Sequence, residues 1–297
     1  MPTIGKSDII PPMEKQTLLA CATEFLQSSP ANYISPTNAI SEAVRGMRIF
    51  DDPVLVYGRA DDPLFKELQL PGVVGEHFVL PTEWLPQAKT VISIFFPFSE
   101  TVKHGNQQDF AWPSPEWLHG RIEGQACIRQ LCDHLQAGLT HAGYKSIAPS
   151  LTSKFWSQAE AGSNPSHPDT AFTSNWSERH VAYVCGHGTF GLSKGLITSK
   201  GVCGRFGSII TDASCESDQR AYHEIHSYCT RCGACMRNCP AGAITLEKGK
   251  DHTLCSRFLD ATEARFKPRY GCGKCQVGVP CESGIPILHE LQQPSQR

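Results

Sequence analysis

The sequence predicts an α+β fold: a larger α/β domain over residues 1–221, then a small cysteine-rich domain over 222–287 and a tail over 288–297. Three observations predict it. Short β-branched or aromatic runs, Val54 to Tyr57 and Thr90 to Phe96, are bounded by Pro or Asp and read as buried strands. Apolar residues at three- and four-residue steps predict helices around those strands. Eight cysteines then crowd into the last quarter of the chain, a density that a packed α/β core does not require.

Taken in order, Glu14 to Leu26 carries apolar positions at helical spacing and reads as the first helix. The stretch joining the two strand runs contains Pro and Gly and has no assignable period. His104 to Trp117 reads as a loop, with Gly105, Asn106, Pro113 and Pro115 in it. Ser114, Pro115 and Glu116 then open a long amphipathic helix, roughly Glu116 to Ala142. Ile122, Ile128, Leu131, Leu135 and Leu139 form its apolar stripe, and Gly143 stops it. Ser157 to Asn175 is rich in Ser, Pro, Gly and Asn, a length and composition that suit a functional lid or a mobile insertion. Val181 to Asp212 holds seven glycines. After Pro240, the run Ala241 to Ile244 reads as a strand, and the Gln/Pro/Ser tail reads as frayed.

Composition narrows the function. Hydrophobic residues make up 40% and charged residues 19% of the 297, with a net charge of −2. That balance gives no general basic surface for nucleic acid. The polar residues after Met1 hold no apolar leader core, and the longest apolar run, Val91 to Phe98, contains Ser93 and Pro97 and is too short for a membrane span. A reducing cytoplasm without membrane attachment is the expectation, and there clustered cysteines bind metal rather than form disulfides. The six remaining cysteines, Cys21, Cys127, Cys132, Cys185, Cys203 and Cys215, read as plain packed thiols.

The cysteine spacing carries the chemistry. Cys229, Cys232, Cys235, Cys239 and Pro240 form a C-x2-C-x2-C-x3-C-P run, and Cys255, Cys272, Cys275 and Cys281 form a looser second group. Tetrahedral zinc would use four thiolates and leave the others spare. The dense run suits [4Fe–4S] clusters, and its fourth cysteine normally reaches the other cluster because the proline turns the chain away. Two clusters mean one-electron chemistry.

Gly186, Gly188 and Gly191 match G-x-G-x-x-G, and Asp212 lies 21 residues beyond the last of them. A dinucleotide fingerprint must open a helix, and the glycine-rich stretch that follows cannot. Close approach of backbone to a flat ligand is the better reading, with ordinary turns as the alternative. His187, between two of these glycines, is a candidate to face a bound ligand, or else a packing residue. Arg179 suits a phosphate or propionamide of a cofactor, or a neighbouring carboxylate.

The stretch from Ser177 to Cys281 resembles the epoxyqueuosine reductases and, more distantly, the corrinoid reductive dehalogenases. Glu178-Arg179, the three glycines, Leu196-Ile197, Thr211-Asp212 and the cysteines carry the resemblance. It implies a nitroreductase-like α/β domain that holds a cobalamin with its lower base detached, followed by a bacterial two-cluster ferredoxin-like domain. One cluster would sit beside the corrinoid and reduce its cobalt, which would reduce the substrate. By the same resemblance Cys229, Cys232, Cys235 and Cys281 bind one cluster, and Cys239, Cys255, Cys272 and Cys275 the other. It further implies a low-potential donor such as ferredoxin or flavodoxin and a small or nucleoside-type substrate. tRNA enters as a partner only through the resemblance, against the charge balance.

The chain departs from that pattern in three places. Five residues separate Cys275 from Cys281, and Leu192 replaces a usual lysine, with Lys194 two positions on. Where the reductases carry an aspartate in Gly-Arg-Asp-Tyr-His, this chain reads Gly120-Arg121-Ile122-Glu123-Gly124. Glu123 is therefore the candidate general acid, if burial raises its pKa, or else a helix-face glutamate favoured by the macrodipole. That substitution motivates a rival from another class: an electron carrier or redox partner subunit with no corrinoid and no substrate site. A cofactor-sized pocket beside the first cluster would count against the rival. A third reading loads the first domain with flavin.

Overall fold

The computed structural model of the chain describes residues 14–287; the polar start and the tail read as frayed lie outside the described residues. The core is a four-stranded antiparallel sheet in the order Val54–Arg59, Thr90–Pro97, Gly204–Thr211, Ser146–Ile147. Strand Thr90–Pro97 is buried along its whole length. Its alternation sends Ile92, Ile94 and Phe96 to one apolar layer and Val91 to the other, so the run is apolar at nearly every position.

Helices cover both faces. Lys15–Ser28 and Pro115–His141 pack on the first, where Gly120 and Gly124 of the longer helix lie against Phe98 and Phe50, and Leu131, Leu135 and Leu139 belong to the same apolar layer. Helix Glu178–Cys185 packs on the second through Val181, Val184 and Cys185, beside Trp176 and Phe65. Trp176 stacks on Phe78 and its indole N–H donates to Ser208 Oγ at 2.9 Å, so the ring is buried with its polar edge satisfied.

One segment differs from the sequence reading, and two others take a form the sequence left open. His104 to Gln107 belong to a helix, Glu100–Gln107, because Ser99 caps it by accepting from Val102 N–H at 3.4 Å. The glycine-rich stretch contains a hairpin, Gly188–Phe190 against Leu196–Thr198, and no helix follows the G-x-G-x-x-G match. Gly188 has φ of 159°, and a Cβ there would sit 1.8 Å from the carbonyl oxygen of Ile197. Gly188→Ala is expected to cost about 2 kcal/mol or more, read as a lower denaturation midpoint. The insertion over 157–175 is closed by a two-residue ladder, Ser157–Gln158 with Thr173–Ser174. Phe172, near its end, stacks on His252 with ring centroids 5.3 Å apart.

The cysteine-rich part contributes the one-turn helix Ala234–Arg237, a small ladder of Ile244–Thr245 with Gly249–Lys250, and helix His252–Phe266. It docks onto the sheet domain through polar contacts. Asn106 Nδ2 donates to the carbonyl of Cys272 at 3.0 Å, and Lys274 Nζ donates to Asn106 O and Oδ1 at 2.7 and 2.8 Å. Gly273, at φ +69°, lies flat under Trp117, whose ring a Cβ would meet at 1.9 Å. Among the described residues no helix is long and apolar enough to cross a membrane.

Candidate functional site

The eight cysteines fall into two sets in space. Cys229, Cys232, Cys235 and Cys281 surround a small void walled by Gly191, Leu192, Ile197 and Val279. Burial pushes the Cys281 thiol up to about 12, and Cys235, Cys229 and Cys232 add to the rise. Cys239, Cys255, Cys272 and Cys275 form the other set. Burial pushes Cys272 up to about 12 too, with Cys275, Cys255 and Cys239 adding to it. The fourth cysteine of the dense run thus crosses to the second group, and Cys281 returns to the first. Pro240 and the turn after it make that crossing.

The donor sets suit iron–sulfur cubanes. Among the described residues no three His, Cys, Asp or Glu side chains close on a point that one metal ion would fill. The Cys281 and Cys272 thiols, raised by burial, stay protonated until a cluster's positive iron stands beside them. Backbone N–H groups already point at two of the sulfurs: Leu192 donates to Cys229 Sγ at 3.4 Å and Ala243 to Cys239 Sγ at 3.3 Å. Such bonds tune cluster potential. Cys235 also feels Cys275, so the two sets lie side by side.

A cavity of about 480 Å³ opens between the sheet and the cysteine-rich part, and all four thiols of the second set line it. Part of that space is what a cubane would take. The rest is walled by Trp117, Trp176, Phe98 and Phe206 on one hand and by arginines on the other. The cofactor-sized space therefore adjoins the second cysteine set, not the first.

Of the remaining candidates, only Arg179 reaches this cavity. Gly186 is the left-handed cap of helix Glu178–Cys185, Gly188 packs backbone on backbone in its hairpin, and Gly191 walls the small void of the first set. As cradle for a flat ligand in the cavity these glycines are misplaced; a helix cap requires Gly186 and the hairpin requires Gly188. Asp212 Oδ1 accepts from Lys145 N–H at 2.9 Å at the sheet's far end. His187 is 5% exposed, its Nε2 is 3.0 Å from Ser93 O, and burial pushes it down to about 4, so it is a neutral packing residue outside the cavity wall.

Glu123 is also off the cavity. It pairs with Arg269 and lies 3.1 Å from His119 Nδ1. Burial raises its pKa, but His119 and Arg269 outweigh that and hold the carboxyl below its ordinary range, the opposite of what a general acid needs. The pair ties the long helix to the cysteine-rich part. Arg269→Ala leaves a half-buried carboxylate and is expected to cost about 2–4 kcal/mol, measured by denaturant unfolding. Because the folded pKa is depressed, that contribution is present above the ordinary glutamate range and is lost as pH falls through the folded value.

Comparison with known proteins agrees with this architecture. The 4Fe-4S binding domain family matches residues 223–245, which contain the whole dense cysteine run. The catabolic reductive dehalogenase NpRdhA superposes with a TM-score of 0.50 at 13% identity, over 92% of this chain and 37% of the dehalogenase. The chain shares that dehalogenase's fold. Epoxyqueuosine reductase structures align as well: one in selenomethionine form with a TM-score of 0.45 at 21% identity, over 81% of this chain and 65% of the reductase, and that of Streptococcus thermophilus with 0.43 at 18%, over 79% and 64%. The chain spans less than two thirds of the length of each of these. No curated protein matches it.

Several wall residues were not visible as site residues in the sequence. Arg121, from the long helix, and Arg205, from strand Gly204–Thr211, both line the cavity. Glu178 lines it too, with both carboxyl oxygens buried and without a hydrogen-bond partner of good geometry. Burial pushes Glu178 up to about 7, against the nearby Ser208, Ser150 and Trp176, which pull it down. Its place in the resemblance was the only signal; nothing in the residue type separates it from a helix-capping glutamate.

Proposed function

We propose that the chain is an iron–sulfur oxidoreductase that brings single electrons through two [4Fe–4S] sites to a molecule bound in the cavity. One observation carries the reading: the second thiol set is itself part of the wall of a space in the size range of small-molecule and cofactor sites. A donor protein of low potential would deliver electrons at the first set, which lies outside the cavity wall. Cys239, Cys255, Cys272 and Cys275 would hold the cluster that faces the cavity, and Cys229, Cys232, Cys235 and Cys281 the other.

The residues present suit a flat redox cofactor. Trp117, Trp176, Phe98 and Phe206 offer aromatic faces, and Arg179 offers a cation for a phosphate or an amide oxygen. A corrinoid, which the sequence resemblance implies, would supply a metal able to exchange single electrons with a cluster. Among the described residues no histidine lines the cavity. Reduction of most organic bonds also consumes protons, and Glu178 is the lining carboxyl that holds one near neutral pH. The substrate would be a small or nucleoside-type molecule.

The test is cofactor retention. Protein produced anaerobically with cobalamin supplied, then desalted, is expected to keep about one cobalt per chain. Full iron with flavin absorbance in place of cobalt would replace the cofactor. Full iron with neither would leave an electron carrier.

A further inference from the structure

We propose that Arg121, Arg179 and Arg205 form an oxyanion site inside the cavity, built for a carboxylate or phosphate group on the bound molecule. The inference rests on the cavity being the reducing site, and it adds the chemical class of what enters.

Three separate elements bring these guanidinium groups together: the long helix, helix Glu178–Cys185 and strand Gly204–Thr211. They are near enough to act on one another. Burial, then Arg121 and Arg179, push Arg205 down to about 9. Burial lowers Arg179 as well, with Arg121 adding to it. Topology, not sequence proximity, creates this concentration of like charge.

Among the described residues no acidic side chain pairs with it: none of the three arginines has a carboxylate at ion-pair distance. Arg205 Nη2 donates to a neutral amide, Gln125 Oε1, at 2.5 Å, and Arg121 lies over the Tyr270 ring at 4.3 Å. The Nε atoms of Arg121 and Arg205 are buried without a partner. Among the described residues Glu178 is the one carboxyl of the wall, and burial raises its pKa to about 7.

A cubane held by thiolates is an anion and would offset Arg179, which feels Cys275 and Cys255. No cysteine acts on Arg205 in the same way. Buried cations of one sign are costly unless a counter-ion meets them. Planar, forked donors match the two oxygens of a carboxylate or phosphate. Arg129 and Lys250 also line the cavity and would draw such an anion in.

The test uses anaerobic protein with its clusters, and two probes, inorganic phosphate and benzoate. Binding is followed by calorimetry and by thermal unfolding, so neither turnover nor a corrinoid is needed. A failed cobalt or substrate screen would therefore leave this result readable. At least one probe is expected to bind and to raise the unfolding temperature. Arg205→Gln should weaken that binding by about tenfold to a hundredfold. Without anions the variant should be at least as stable as the parent, which a merely structural arginine would not give.

Adding cobalamin or cobinamide, which lacks the phosphate-bearing loop, separates the two sources. A probe that binds beside cobalamin assigns the site to the substrate. A probe displaced by cobalamin and not by cobinamide assigns it to the cofactor phosphate. Should Arg205→Gln fail to fold, Arg179→Gln makes the same comparison. Absence of binding by both probes, or unchanged binding in the variant that folds, would overturn the proposal.

Discussion

Cys239→Ala and Cys275→Ala should each remove one cluster and leave the other, lowering bound iron from about eight to about four per chain. The prediction follows from where the chain goes after Pro240. Cys239 is consecutive in sequence with Cys229, Cys232 and Cys235, yet its thiol stands with Cys255, Cys272 and Cys275. If each run of cysteines instead held its own cluster, Cys239→Ala would empty the first site and Cys281→Ala would damage the second. The crossed arrangement predicts the reverse. Cys281→Ala should empty the site of Cys229, Cys232 and Cys235, where its thiol lies, and leave the cavity-facing one intact. The double variant tells the two outcomes apart: with Cys239 and Cys275 both replaced, the crossed arrangement keeps about four iron per chain, whereas one cluster per run would leave none. The affected part of the fold should loosen as well, because metal binding contributes directly to folding in small cysteine-rich units.

Glu178→Gln is expected to change how stability depends on pH. The folded carboxyl is raised from 4.5 to about 7 by burial. Between those values the folded protein binds the proton more tightly than the unfolded chain does. The stability this gives is complete below the unfolded pKa and is lost as pH rises through the folded value. Taken to its full extent, the shift corresponds to about 3 kcal/mol. Glutamine keeps the shape and removes the titration. Denaturant unfolding should find the variant close to the parent near pH 5 and about 3 kcal/mol more stable above pH 8. A variant that loses stability with pH as steeply as the parent would show that Glu178 is not the group responsible. The same substitution removes the proton-holding carboxyl from the cavity wall, so slower proton-coupled reduction alongside higher stability would tie the residue to function.

The scaffold and the cluster chemistry were legible in the sequence for simple reasons. Thr90 to Phe96 is buried on both sides, so its composition announces a central strand without ambiguity. The long helix has a proline start, an apolar stripe and a glycine stop, and it runs Pro115–His141, within a residue of the reading. Cysteines at two- and three-residue spacing carry their chemistry whatever surrounds them. Helix His252–Phe266, which brings Cys255 to the second set, was not legible, because only Thr262 of it is buried and no apolar stripe forms. Nor was the arginine cluster: Arg121, Arg179 and Arg205 lie far apart in sequence and meet only through the packing of helices on opposite faces of the sheet. His187 drew attention through the glycines around it. Gly186 caps a helix and Gly188 sits in a hairpin packed too tightly for a Cβ, and the imidazole is consumed by a contact to Ser93. Glu123 was next to the place where a carboxylate was sought, and one step along the helix turns it to Arg269 and away from the cavity. Local chemistry reads directly from sequence, whereas the membership of a cavity depends on which distant elements the fold brings together.

The most direct test is iron and acid-labile sulfide per chain in protein purified without oxygen, with the absorption spectrum taken before and after reduction. The account predicts about eight iron and about eight sulfide, with a broad visible band that bleaches on reduction, as two [4Fe–4S] clusters require. Zinc in place of iron, or only about four iron with Cys239 and Cys275 both replaceable, would contradict it.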